Sequence, residues 1–143
     1  MITLLDINVL IALVDTAHVH HVPATKLFVA AQPHGWATCP ITENGFLRIL
    51  GRPSVDHGLN SPSAARTLLH SLLAMPSHQF WPDDLSLADS LFFPELPSSR
   101  NLTDLYLLGL AIKHGGRFAT FDQSIDASII PSGPAAYYLI PTP

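Results

Sequence analysis

The start of the chain is the feature that most constrains its fold. Residues 2–5 form a short, wholly apolar run that ends at Asp6, and apolar residues then recur at helical spacing. A short apolar run without alternation is typical of a strand that is buried on both faces. Asp6 therefore lies where a buried strand passes into a helix, which in an open parallel sheet is the edge that binds ligands. A carboxylate here also caps the exposed N–H groups of a helix, so Asp6 alone does not indicate a site.

The same order of strand and then helix repeats along the chain. Further strands are predicted over residues 36–39, 78–81, 117–121 and 136–140, with residues 78–81 at or near the sheet edge. Helices are predicted over residues 22–31, 40–50, 63–75, 85–93 and 105–113, and residues 54–62 are expected to form a surface loop. This order predicts a single α/β domain over residues 1–143, in which a mostly parallel sheet carries helices on both faces.

Composition restricts the cellular compartment and the binding partners that such a domain can have. The lone Cys39 cannot form an internal disulfide, which fits a reducing compartment, and we expect a cytoplasmic protein. No apolar run reaches the length of a membrane span, so no membrane association is expected. The net charge of −4 excludes a global basic field, and nucleic-acid binding would depend on a few local basic residues. With 48% hydrophobic residues, some apolar surface is expected to be covered by a partner.

Four acidic residues share one position relative to the predicted elements. Asp6 and Asp122 end apolar strands, whereas Glu43 and Asp104 lie in the first turns of helices. Each has a capping interpretation, but strand ends and the following helix starts meet at one edge of a parallel sheet. Carboxylates that cluster there repel each other unless a cation is bound, and oxygen ligands without thiolates favour Mg²⁺ or Mn²⁺. The pattern predicts a metal site, with metal-assisted phosphodiester hydrolysis as the leading reaction class.

The segments around these acids also resemble a known family. Residues 5–10 (LDINVL), 42–48 (TENGFLR), 103–107 (TDLYL) and 119–122 (ATFD) are similar, in this order, to the successive acidic motifs of PIN-domain proteins. The resemblance is to the VapC-type toxins of bacterial toxin–antitoxin pairs, in particular the mycobacterial-type group. It spans nearly the whole chain, and it implies a PIN-like three-layer sandwich.

The resemblance implies an Mg²⁺- or Mn²⁺-dependent endoribonuclease that cleaves structured cellular RNA, tRNA or rRNA, to inhibit translation. It places catalytic and metal-binding roles on Asp6, Glu43, Asp104 and Asp122. It further implies a homodimer and a VapB-like antitoxin partner that covers the site.

Three further residues each have more than one open interpretation. The resemblance implies that Asn8 and Thr120 orient ligands or water, although a helix-start residue and a strand residue are equally compatible with the sequence. Arg48 follows Glu43 by about one helical turn, where it would meet an RNA phosphate, pair with an acid, or form a surface ion pair. The basic residues available for RNA contact are Lys26, Arg48, Arg52 and Arg66.

Two other classes of function remain open at the level of sequence. The low basic charge and the apolar composition favour a catalytically silent PIN-like domain that binds RNA or a protein partner without cleavage. An acid-rimmed phosphatase or receiver domain fits less well. The sequence after Asp6 lacks the second aspartate of a haloacid-dehalogenase-type phosphatase, and Cys39-Pro40 offers no phosphorylatable aspartate after the next strand.

Overall fold

The central sheet has five strands, all parallel, in a computed structural model that describes residues 1–53 and 59–143. The strands are β1 (Thr3–Leu5), β2 (Trp36–Thr38), β3 (His78–Phe80), β4 (Arg117–Thr120) and β5 (Tyr137–Leu139). They lie in the order β3-β2-β1-β4-β5, so the first strand of the chain is the central one. The predicted strands are thus confirmed, β3 is an edge strand as expected, and the sheet is parallel throughout.

Helices and turns connect these strands. The helices are α1 (Ile7–Val14), α2 (His21–Ala31), α3 (Pro40–Leu50), α4 (Pro62–Leu73), α5 (Leu102–Lys113) and α6 (Gly133–Ala136). Short 3₁₀ turns cover Gln32–His34, Ser99–Asn101 and Ala127–Ile129. Of the predicted loop over residues 54–62, residues 54–58 lie outside the described residues, and Pro62 already belongs to the first turn of α4. Within the described ranges, no helix combines the length and the apolar character that crossing a bilayer requires.

The sheet separates two hydrophobic cores, which confirms the three-layer α/β sandwich. Successive residues of a strand point to opposite faces. Leu4 and Phe118 accordingly pack into the core with α5, whereas Leu5 and Ala119 pack into the core with α1 to α4. A strand that is buried on both faces has no need of polar alternation, which is why β1 is apolar throughout.

The predicted helix over residues 85–93 is wrong. The structure has turns there instead, because two polar side chains satisfy backbone N–H groups that a helix would otherwise bond internally. Ser86 Oγ accepts from the N–H of Ala88, and Asp89 Oδ1 accepts from the N–H groups of Leu91 and Phe92. The apolar side chains of the segment still reach the core individually, as Phe93 does.

The predicted last strand, over residues 136–140, begins one residue too early. The last strand begins at Tyr137 rather than at residue 136, because Gly133–Ala136 forms a short helix, α6. Pro134 fits its first turn, where its missing N–H needs no partner. Similarly, β4 ends at Thr120, so that Asp122 follows the strand by two residues.

Candidate active site

Three aspartates meet at the carboxyl edge of the two central strands. Asp6 follows β1 directly, and Asp122 follows the neighbouring strand β4, with Leu5 opposite Ala119 in the parallel register. Asp104 comes from the first turn of α5. The charges of Asp6 and Asp122 both raise the pKa of Asp104, which places the three carboxyl groups within electrostatic reach of one another. The sequence predicted this meeting at one edge.

Asp6 is held rigidly. Its side chain is buried, and it caps α1 because Oδ1 accepts from the N–H of Ile7 at 2.7 Å. Its second oxygen, Oδ2, accepts from the Thr120 hydroxyl at 2.7 Å. Burial raises the pKa of Asp6 and the charge of Asp122 adds to the effect, whereas the hydrogen bonds from Thr120 and Ile7 oppose it. A buried carboxylate fixed by two donors is pre-oriented toward whatever it binds.

The pKa values of Asp104 and Asp122 are shifted in opposite directions. Burial, followed by the charges of Asp6 and Asp122, raises the pKa of Asp104 to about 7. The pKa of Asp122 is lowered, mainly because the Ser124 hydroxyl donates to its Oδ1 at 2.7 Å, and Arg100 contributes with its charge. A protonated Asp104 donates to ionised Asp122. In the metal-free protein, a proton therefore offsets part of the repulsion that a cation would otherwise relieve.

Glu43 lies on helix α3, close to the end of β2. It is half-buried in the first turn of α3, and its Oε2 accepts from the Thr38 hydroxyl at 2.7 Å. The charges that shift the pKa of Asp104 are those of Asp6 and Asp122. The structure therefore brings three of the four predicted acids together, and a shared role for Glu43 stays a prediction.

The donor set fits a hard divalent cation. Asp6, Asp104 and Asp122 supply carboxylate oxygens, which Mg²⁺ and Mn²⁺ prefer. Burial and the two neighbouring carboxylates raise the pKa of Asp104 to about 7, and a cation beside the cluster would favour its ionised form. Across residues 1–53 and 59–143, no three acidic, histidine or cysteine side chains already stand as a closed ligand group. The oxygen chemistry of the aspartates suits such a cation, and metal binding by them stays a prediction.

The remaining predicted residues differ in their surroundings. Thr120 is fully buried, and its hydroxyl donates to Asp6 and accepts from the N–H of Asp122 at 3.0 Å. Asn8 is exposed on α1, and Arg48 is exposed in the last turn of α3. Functional roles for Asn8 and Arg48 stay predictions.

Sequence reasoning missed several residues that contact or influence the acids. They are Thr38, His78, Arg100 and Ser124. Ser124 follows Asp122 by two residues, a spacing at which an aspartate commonly accepts from a nearby hydroxyl or N–H group. For Thr38 and His78 there was no local signal, because their contact joins residues 40 positions apart.

The parallel sheet and the cluster of aspartates at its edge define a class of protein. The model of the PIN domain family matches residues 3–128, and the chain belongs to this family. Ribonuclease VapC44 of Mycobacterium tuberculosis is 41% identical over 133 residues, which cover 92% of this chain and 93% of the relative. Ribonuclease VapC39 of the same organism is 40% identical over 127 residues, covering 87% of this chain and 91% of the relative. The resemblance found in the sequence is confirmed.

A solved structure shows the same fold at low identity. It is the crystal structure of VapBC2 from Rickettsia felis bound to a DNA fragment from their promoter. The match has a TM-score of 0.58 at 13% identity, and it covers 85% of this chain and 89% of the other. At this identity, the likeness concerns the fold.

Proposed function

We propose that this protein is a metal-dependent endoribonuclease, the toxin of a VapBC-type toxin–antitoxin pair. It hydrolyses phosphodiester bonds in structured cellular RNA, tRNA or rRNA, with Mg²⁺ or Mn²⁺ as the cofactor. One observation carries the proposal: Asp6, Asp104 and Asp122 converge at one edge of the sheet, although burial and the charges of Asp6 and Asp122 raise the pKa of Asp104 to about 7. The similarity to Ribonuclease VapC44 over 92% of this chain supports the ribonuclease activity.

Each residue has a separate task in this proposal. Asp6 presents a carboxylate that Ile7 and Thr120 hold in place, and Asp104 must give up its proton before it can bind a cation. Ser124 keeps Asp122 ionised through two hydrogen bonds. A bound Mg²⁺ or Mn²⁺ would polarise a phosphoryl oxygen and lower the pKa of an attacking water. Asp6 and Asp122 are held by hydrogen bonds before any ion binds, so these two ligands would need little reorganisation.

Two kinds of partner belong to the proposal. A VapB-like antitoxin is supported by the structural relative from Rickettsia felis, which is a VapBC pair, and by the high apolar content of this chain. A homodimer would place two sites side by side and share the few basic residues between them.

Cleavage of total bacterial RNA by the purified, antitoxin-free protein tests the activity. We expect discrete new RNA ends in Mg²⁺ or Mn²⁺ and their loss in EDTA. Asp6→Asn should reduce the rate by at least about 100-fold, since it weakens a ligand without changing the shape of the side chain. Glu95→Gln removes an exposed charge elsewhere and serves as the matched control. Cleavage that persists in EDTA, or in folded Asp6→Asn, would contradict the proposal.

The second candidate is a catalytically silent PIN domain that binds RNA or a protein partner. It is favoured by the fact that no closed group of three metal ligands exists among the described residues. A silent domain would bind RNA or its partner equally well in EDTA and would produce no new RNA ends. The same experiment therefore separates the two candidates.

A further inference from the structure

A chain of two hydrogen bonds connects β3 to Glu43. Thr38 Oγ1 donates to Glu43 Oε2 at 2.7 Å, and the same hydroxyl lies 2.8 Å from His78 Nε2. Thr38 is the last residue of β2 and is fully buried, whereas Glu43 and His78 are half-buried, so both bonds are shielded from water on the side of the Thr38 hydroxyl.

The direction of both bonds follows from the number of protons. A threonine hydroxyl has one proton to donate, and Thr38 gives it to Glu43. His78 must therefore donate from Nε2 to the Thr38 oxygen, which requires a proton on that nitrogen. Burial lowers the pKa of His78, although the charge of Glu43 opposes this shift. The neutral imidazole with its proton on Nε2 is sufficient for the chain of bonds.

The sheet register holds the imidazole in place. His78 lies opposite Trp36 in the parallel pairing of β2 and β3, and the two ring centroids are 4.7 Å apart. Trp36 is itself fixed, since it is fully buried and its Nε1 donates to the carbonyl of Pro76. The imidazole at the start of the chain of bonds thus packs against a side chain of the core.

We infer that Thr38 and His78 are positioning residues that fix the carboxylate of Glu43 for the RNA-cleaving site. Thr38 bonds Oε2 directly, and His78 acts through the Thr38 hydroxyl. The bond restricts rotation of the carboxylate and leaves Oε1 for a cation or a water. The arrangement parallels that of Thr120, whose hydroxyl fixes one oxygen of Asp6. The inference rests on the proposed function. It gives Glu43 a role in the RNA-cleaving site that does not depend on contact with the aspartates.

Isosteric and conservative variants test this inference. Thr38→Val keeps the shape of the side chain and removes the hydroxyl, whereas Thr38→Ser restores the hydroxyl. His78→Phe removes the donor, whereas His78→Gln carries an N–H group close to the position of Nε2. Thr25→Val is the matched control, because the Thr25 hydroxyl is exposed and donates within its own helix.

We expect Thr38→Val and His78→Phe to lower kcat for RNA cleavage about tenfold and to weaken Mn²⁺ binding by a similar factor, with KM nearly unchanged. The serine and glutamine variants should recover most of both losses, and Thr25→Val should equal the wild type. In a Glu43→Gln background, Thr38→Val should have little further effect, since both changes act through the same carboxylate. Thermal unfolding of every variant identifies loss of the fold.

Each remaining outcome has a definite meaning. Equal losses from Thr38→Val with and without Glu43→Gln, or folded variants that cleave like the wild type, would overturn the inference and leave the nuclease proposal intact. If the wild type does not cleave RNA, Mn²⁺ titration by calorimetry still decides, because a weaker affinity in Thr38→Val alone would support the positioning role. A wild-type protein that neither cleaves RNA nor binds Mn²⁺ would overturn both proposals.

Discussion

At the scale of single residues, the aspartate cluster opposes the stability of the metal-free protein. The pKa of Asp104 is about 7 in the folded state, against an ordinary value of 3.8. The folded state thus binds this proton more tightly than the unfolded chain does. The stabilisation from this proton is complete below the unfolded pKa and is lost as the pH rises through about 7. A group that we propose as a cation ligand therefore destabilises the metal-free protein at neutral and higher pH.

Replacing Asp104 with Asn should stabilise the metal-free protein. In EDTA at pH 8, we expect Asp104→Asn to raise the free energy of unfolding by about 1 kcal/mol, a value discounted because the group is only half-buried. At pH 5 the gain should be smaller, since Asp104 is then protonated in the folded wild type. Urea unfolding at both pH values measures the difference, with Glu95→Gln as the control for loss of one acidic charge. An Asp104→Asn protein that is no more stable than the wild type at pH 8 would contradict the cluster as described.

At the scale of elements, the close approach of α3 to α1 depends on one glycine. Gly45 lies in α3, and a Cβ at this position would stand 2.3 Å from Cδ1 and 2.7 Å from Cγ1 of Ile7. Ile7 is the first residue of α1, and its backbone N–H donates to Asp6. The packing of the two helices is therefore connected directly to the orientation of a proposed catalytic carboxylate.

Gly45→Ala should destabilise the fold even though alanine favours helices. The intrinsic gain is about 1 kcal/mol, whereas forcing atoms into a packed contact costs about 1–3 kcal/mol. We expect a net loss of about 1 kcal/mol in denaturant unfolding, together with slower RNA cleavage as the start of α1 shifts. In an Ile7→Ala background the contact is gone, so Gly45→Ala should become neutral or stabilising. A loss of equal size in both backgrounds would show that the contact with Ile7 is not the cause.

The sequence predicted elements well where the signal is local, and less well where partners are distant. Asp6 and Asp104 could be placed from the strand and helix patterns beside them. The segment over residues 85–93 misled the prediction, because its apolar spacing suits a helix while Ser86 and Asp89 bind its N–H groups in turns. The hydroxyl of Thr38 meets its imidazole partner across two strands, and local periodicity carries no information about such a contact.

At the scale of the whole molecule, few basic residues are available to bind an RNA substrate. The net charge is −4 with seven lysine and arginine residues. Arg117 lies 4.3 Å from the centre of the Tyr138 ring, and Lys113 binds Asp84, so both are engaged within the protein. Arg100 differs, because it is exposed and its charge lowers the pKa of Asp122. It places a positive charge beside the acids, where a phosphate of the proposed RNA substrate would approach.

Arg100→Gln should therefore weaken RNA binding more than the loss of any remote cation. At pH 8, where Asp122 stays ionised, we expect KM to rise about fivefold with kcat nearly unchanged, because a phosphate contact contributes to binding rather than to the chemical step. The logarithmic dependence of affinity on salt should lose about one unit of slope, the amount expected for one phosphate contact. Lys113→Gln is the control, because Lys113 is exposed, pairs with Asp84 and lies at the opposite end of α5 from Asp104, and this variant should change neither quantity. A salt dependence that is the same in Arg100→Gln and Lys113→Gln would mean that RNA approaches the acids without Arg100, and that a bound cation or a second subunit offsets the repulsion by the acidic surface.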